Sequence, residues 1–378
     1  MKKRILLFIA GFCLISSCKQ IQKATDFVLQ PSAKEIYKRE FKDSLSVYEK
    51  WGTIGREALH DSLFINTPFV AHGSFHKDKT QPLAFTLKLS FGTSIYIDTK
   101  LDNPKYRVFT EIYKVTNDSL SPFKQVATSE NQQKELTYKV EETGTYKLLI
   151  QPEIATQSNF KITIQNIPLY TTFPVAGKSD TAIQSFWGAR RDGGKRTHEG
   201  IDIFAKRGTP VVAVNDGFVR YTGEKGLGGK QVWLRDGQNN VSLYYAHLDS
   251  INASSGAKVS QGDTLGFVGN TGNARNTAPH LHFGIYKGFG GAVDPFPFVK
   301  NETLPPLIKT ENSYSSHLLV NGSVANIRNS PTTKASKVIT TAKRKDTLNL
   351  VSITEDWFQI KTANNQSGFI HKSLVKPL

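Results

Sequence analysis

The stretch His198-Glu199-Gly200-Ile201-Asp202 decides how this 378-residue chain is read, together with Tyr244-Tyr245-Ala246-His247-Leu248 and Pro279-His280-Leu281-His282-Phe283. Side chains alternate along a strand, so His198 and Asp202 are expected on one face while Ile201 and Ile203 point to the other. His280 and His282 likewise share a face, with Leu281 and Phe283 turned into a core. Gly200, having no side chain, leaves the backbone between the first pair open to close approach. Two strands are therefore expected to offer imidazoles and a carboxylate to one groove. Two neutral imidazoles and one carboxylate form the open ligand set of catalytic zinc sites. Four histidines exceed that set by two, and the extra pair suits proton transfer or stabilisation of charge as water attacks a carbonyl. The residues read as a metal-dependent hydrolase. His198-Glu199 also begins like the helical His-Glu-x-x-His motif, but Asp202 stands where the second His is required. Gly200 with β-branched Ile201 and Ile203 disfavours that helix.

About residues 172 to 300 resemble the lysostaphin-type zinc metallopeptidases, which cut peptide bonds in bacterial peptidoglycan. The resemblance is carried by His198-x-x-x-Asp202 with Ile203, Gly208-Thr209-Pro210-Val211, Asp216-Gly217, Tyr245-Ala246-His247-Leu248, Val268-Gly269-Asn270-Thr271-Gly272, His280-Leu281-His282-Phe283 and Asp294-Pro295. It implies an antiparallel β-sheet metallopeptidase domain with one Zn2+ per chain, held by His198, Asp202 and His282. It also implies catalytic roles for His247 and His280, without saying which is the general base. None of these residues is missing, whereas inactive relatives that serve as activators have lost some of theirs. One departure is Asn273-Ala274-Arg275-Asn276, which differs from the Ser/Thr-Gly usual there and bears on the loop's contacts with substrate.

Working outward, Lys2-Lys3-Arg4 and the apolar run Ile5 to Ile15 are too short to span a bilayer and have the shape of a secretory signal over residues 1–17. Ile15-Ser16-Ser17-Cys18 resembles a bacterial lipoprotein cleavage site, which implies lipid on Cys18 and an exported protein anchored to a membrane of the cell envelope. An ordinary cleaved signal with Cys18 incidental is the plainer alternative. Cys13 and Cys18 are the only cysteines, so a lipidated mature chain has no thiol for a disulfide or a metal. The formal charge of +16 falls to about +13 without the signal. Export and the lack of a nucleic-acid motif exclude nucleic acid as a partner, leaving acidic envelope polymers or lipid head groups, or solubility alone.

The expected fold is mainly β and multidomain. Residues 18–60 read as a spacer with one helix, started by a capping box at Ser32-Ala33-Lys34-Glu35, with Tyr37, Phe41, Leu45 and Tyr48 packing on the next domain. Residues 61–168 show period-two runs (Phe85, Leu87, Leu89; Ile95, Ile97; Phe160, Ile162, Ile164) that predict a β-sandwich. Glu142-Thr143-Gly144-Thr145-Tyr146-Lys147-Leu148 loosely resembles the small jelly rolls that accompany secreted peptidases. His72 and His76 have ligand spacing but no third partner nearby, and read as ordinary surface or structural residues. The metallopeptidase domain spans 169–305 and runs into a Pro305-Pro306 linker. Residues 315–378 resemble the bacterial Src-homology-3-like barrel in Val324-Ala325-Asn326-Ile327-Arg328-Asn329-Ser330-Pro331, Asp356-Trp357-Phe358-Gln359-Ile360 and Ser367-Gly368-Phe369-Ile370-His371, with His371 structural. Such barrels bind cell-wall peptides or only pack on a catalytic domain. The expected function is zinc-dependent hydrolysis of peptidoglycan peptides. A non-catalytic envelope protein that binds peptidoglycan and regulates another hydrolase is the alternative, and a peptidase acting on proteins is a third reading.

Overall fold

The computed structural model describes residues 26–27, 29–79, 81–130, 133–305 and 316–378; the signal run, Cys13 and Cys18 lie outside them. The described chain is mainly β and antiparallel. Its first eight strands are β1 (Phe69–Phe75), β2 (Leu83–Leu89), β3 (Thr93–Leu101), β4 (Val108–Val115), β5 (Phe123–Thr128), β6 (Glu135–Lys139), β7 (Gly144–Pro152) and β8 (Ser158–Pro168). They pair as β1-β8-β3-β6 and β2-β7-β4-β5, the strand order of a jelly roll built from two Greek keys. The alternating residues predicted from sequence fill the space between the sheets: Phe85, Leu87, Ile95, Ile97, Ile162 and Ile164 are buried in one cluster.

The segment before the jelly roll departs from expectation. Its described part includes the α-helices α1 (Ala33–Lys38) and α2 (Leu45–Ala58), separated by a 3-10 turn at Arg39–Phe41. The capping box starts α1: Ser32 Oγ accepts from Glu35 N–H at 3.3 Å, and the Glu35 carboxylate accepts from Ser32 N–H at 2.7 Å. Ser44, in a non-helical conformation (φ −143°), breaks the continuous helix, because a short hydroxylic side chain competes poorly as a helix former. The register of the predicted stripe is therefore lost at Leu45, which is 41 % exposed. Trp51 takes its place. The indole packs on Tyr37 and Phe109, its Nε1–H donates to Pro152 O at 2.9 Å, and Gln151 Nε2 donates to Trp51 O at 2.7 Å. These contacts fix the helices on the jelly roll's outer face.

Tyr170, two residues beyond β8, already belongs to the next core. Here ten strands form one sheet, whose central path includes β9 (Ile183–Ser185), β10 (Ile201–Phe204), β11 (Gly217–Glu224), β12 (Lys230–Asp236), β13 (Val241–Ile251) and β14 (His280–Tyr286), ordered β11-β12-β13-β14-β10-β9. Ile201, Ile203, Tyr245, Leu281 and Phe283 are fully buried on its inner face. The jelly roll and this sheet are joined by Leu169 N–H to Gly92 O and Tyr170 N–H to Phe298 O, both 2.9 Å, with Phe91 edge-on to Phe298.

Seven short strands between His317 and Pro377 form the C-terminal barrel around Leu318, Ile327, Leu348, Ile360 and Ile370. One of them, β15 (Thr347–Thr354), also pairs with β1, in register His72 opposite Ile353 and Gly73 opposite Ser352. The jelly-roll sheet and the barrel are thus one continuous sheet, and Val351, Trp357 and Phe369 of the barrel lie in the jelly-roll core. Among the described residues no helix is long and apolar enough to cross a membrane.

Candidate metal centre

Three neighbouring strands build the site. Asp202 on β10 lies directly across from His282 on β14, and His282 across from Ala246 on β13, so these positions share one face of the sheet. His280, two residues before His282, is paired with Phe204 and stacks on its ring at 4.9 Å. The reading of His198 as a strand partner of Asp202 is corrected: β10 starts at Ile201, and His198 precedes it. Gly200 interrupts the pairing, and His198 reaches the same point from the connection that follows a two-stranded ribbon, Arg190–Arg191 with Arg196–Thr197.

His198 Nε2, Asp202 Oδ1 and His282 Nδ1 form a triangle with sides of 3.0, 3.0 and 3.1 Å. The chemistry of that triangle is specific. His198 Nδ1 lies 2.9 Å from the carbonyl of Phe186, which can only accept, so Nδ1 carries the proton and the neutral ring presents a bare Nε2. Asp202 is held ionised. Burial raises its pKa, but the His198 and then the His282 ring, each able to donate to the carboxylate when protonated on the nitrogen that faces it, outweigh this and hold the carboxyl well below the usual range; with both rings neutral and their protons on the far nitrogens, the facing nitrogens accept instead. Three acceptors thus converge, an arrangement that fits a cation and suits the two-imidazole, one-carboxylate set of zinc. Burial, more than any neighbour, pushes the His282 pKa down, which favours the neutral ligand form.

The supporting contacts were not visible in the sequence. Arg191 Nη2 donates to Asp202 Oδ2 at 2.7 Å and to Ser185 Oγ at 2.6 Å, so one carboxylate oxygen is tied back while the other faces the imidazoles. His247 and His280 stand beside the triangle, their ring centroids 5.1 Å apart, with His280 Nε2 3.9 Å from Asp202 Oδ1 and the His247 ring 5.8 Å from that of His282. Each has Nδ1 on a backbone carbonyl, that of Thr271 at 3.0 Å and that of Ala278 at 2.9 Å, which turns a bare Nε2 toward the groove. Burial first, then His282 and His280, push the His247 pKa down to about 4. His247 has φ +63°, a left-handed conformation rare for a residue with a side chain. The groove measures about 840 Å³, and Tyr244 and Tyr286 are among the residues that line it. Tyr244 shares its face with Ala246, as the period of two requires, but nothing in its run marked it as a groove residue. His72 is at the junction of β1 with β15, and His371 packs edge-on against Trp357 at 5.3 Å. Neither lies in the groove.

Residues 196–295 match the family model described as Peptidase family M23, and residues 323–376 match that of the bacterial SH3 domain. The chain is 38 % identical over 139 residues to the L-Ala–D-Glu endopeptidase of Bacillus subtilis, a stretch covering 34 % of this chain and 42 % of that protein. It is 37 % identical over 108 residues to the glycyl-glycine endopeptidase ALE-1 of Staphylococcus capitis, covering 28 % and 29 %. The chain thus spans less than half the length of these curated relatives. The solved catalytic domain of lysostaphin from Staphylococcus simulans is 34 % identical, covering 31 % of this chain and 90 % of that one, at a TM-score of 0.29. Residues 196–295 are thus a domain of peptidase family M23, followed by a bacterial SH3 domain.

Proposed function

We propose that this chain is a zinc-dependent endopeptidase that hydrolyses peptide bonds in peptidoglycan. We further propose that it is exported to the cell envelope and anchored to a membrane by lipid at Cys18. The observation that carries the catalytic reading is the convergence of His198 Nε2, Asp202 Oδ1 and His282 Nδ1 within 3.1 Å of one another, below two further histidines. The relatives' names support the substrate class and point to two different bonds, L-Ala–D-Glu and glycyl-glycine. A regulator without catalysis predicts a lost ligand, and all three donors are present.

Zinc, when bound, supplies a Lewis acid for the scissile carbonyl and lowers the pKa of a water molecule. His198, Asp202 and His282 are the residues that hold it, with Arg191 fixing the carboxylate's orientation. His247 and His280 each present an unprotonated Nε2. Either ring can take a proton from the attacking water, and the ring that has gained one can face the developing oxyanion or return the proton to the leaving amine. The low pKa of His247 keeps it neutral near pH 7, so its Nε2 is open to a proton, though only as a weak base.

The test separates two kinds of histidine. Alanine at His198, Asp202 or His282 should lower bound zinc, measured by elemental analysis, because two remaining ligands hold the ion weakly. Alanine at His247 or His280 should leave zinc near stoichiometric and slow digestion of purified peptidoglycan by roughly a hundredfold or more. Fragments identified by mass spectrometry name the bond cut. Full activity in all five variants would show that this groove is not the active site.

A further inference from the structure

The hydrogen bond that orients His247 ends on a backbone carbonyl, which any residue can offer. What Thr271 adds is a hydroxyl. Its Oγ1 accepts from Lys230 N–H at 3.0 Å and donates to Leu248 O at 2.8 Å, while its carbonyl accepts from His247 Nδ1 at 3.0 Å. One residue therefore grips two consecutive residues of β13, His247 by its side chain and Leu248 by its main chain, and ties both to the first residue of β12. Strand pairing is irregular at this point. Lys230 lies opposite Leu248 and Val232 opposite Tyr245, so Ala246 and His247 together oppose Gln231. An extra residue on one strand breaks the ladder locally, and His247 has the left-handed backbone (φ +63°). The brace is itself seated against backbone. A Cβ on Gly229 would lie 2.4 Å from Gly272 N and 2.5 Å from Thr271 Oγ1, so the Gly229 main chain packs directly on the Thr271–Gly272 turn.

We infer that Thr271 is a positioning residue for His247: its hydroxyl seats the carbonyl that fixes the tautomer and aim of the imidazole. The inference rests on the reading of His247 as an acid-base group. Such a group must stand within hydrogen-bond reach of the proton it moves, and a displacement of about 1 Å is enough to slow a reaction substantially. Without the hydroxyl, Lys230 N–H and Leu248 O both lose a partner in a partly buried place. Polar groups left so are costly, and the turn re-seats to satisfy them, taking the carbonyl of residue 271 with it.

The test uses the zinc-loaded full chain and a soluble cross-linked stem peptide, with Thr271→Val and Thr271→Ser made both in the parent and in His247→Ala. In the parent, Thr271→Val, which keeps the shape and loses the hydroxyl, should lower kcat roughly tenfold at unchanged KM and zinc content, less than loss of the imidazole itself. Thr271→Ser, which keeps the hydroxyl, should stay close to the parent. In His247→Ala, Thr271→Val should cause no further loss, because a residue that acts only through His247 has nothing left to position. Thr271→Ala also lacks the hydroxyl and should repeat the valine result, which keeps the question open to measurement if the valine chain fails to fold. Parent-like kcat without the hydroxyl, an equal loss in both backgrounds, or loss of bound zinc would overturn the inference while leaving the peptidase intact. Full activity of His247→Ala alone would instead sink the reading of His247 on which the inference rests.

Discussion

At the scale of single residues, His247 shows how the chain spends conformational strain at the groove. Its left-handed backbone (φ +63°) lies beside the shift in pairing of β13 between Leu248 and Ser250, and local irregularities of this kind re-aim a side chain. A side chain disfavours that region by about 1 kcal/mol, which glycine escapes. His247→Gly should therefore be more stable than His247→Ala by about 1 kcal/mol, reversing the order expected in an extended strand. Urea denaturation of the two variants measures it, and an equal or lower stability for glycine would show that the backbone there carries no strain. The histidines and Asp202 were legible because few residue types bind metal and their spacing is short. The angle at His247 was not, since Tyr-Ala-His-Leu contains no glycine or asparagine to signal it. Arg191 was not legible either, because its reach to Asp202 depends on a ribbon whose pairing no local pattern announces.

Between elements, the decisive contact is the approach of the connection before β10 to β14. A side chain added at Gly200 would put its Cβ 2.5 Å from His282 Cε1 and 2.7 Å from both His282 Nε2 and Phe283 O. The carbonyl belongs to a paired strand, so the imidazole is the group that must move. Gly200→Ala is predicted to weaken zinc binding roughly tenfold or more, the usual consequence of disturbing a ligand's orientation. Competition with a chromophoric chelator reads this directly, and unchanged affinity would mean that the ring has another place to go. Alternation made β10 and β14 readable because each buries one complete face. His198 was misplaced onto β10 because period two was carried across a glycine where the pairing stops. The single helix predicted before the jelly roll failed similarly: Tyr37, Phe41 and Tyr48 keep a spacing that survives a break at Ser44, while Leu45 and Trp51 exchange roles.

Across the whole molecule, the barrel's own strands were legible from composition and turns, but its partner was not. The residues that dock it, Val351, Trp357 and Phe369, read like any strand interior and bury in the jelly-roll core instead. Removing residues 316–378 should therefore destabilise the jelly roll, because a core stripped of three large side chains loses several kcal/mol, about 2–5 for each full truncation. Thermal unfolding and limited proteolysis of the truncated chain measure this. An unchanged Tm, with the jelly roll still protease-resistant, would mark the barrel as an independent appendage.

The pairing of His72 with Ile353 also has a consequence in time. A chain is made from its N-terminus, and domains tend to fold as they emerge, so β1 is complete long before β15 exists. Until then one edge of the jelly roll presents unpaired N–H and C=O groups, a template for any other extended chain. Contacts so distant in sequence form late. A polypeptide interrupted after the His280–Tyr286 strand would hold every candidate zinc ligand and still be sticky. Synthesis of the last quarter of the chain is what turns a chemically complete protein into one that can be left alone with its neighbours.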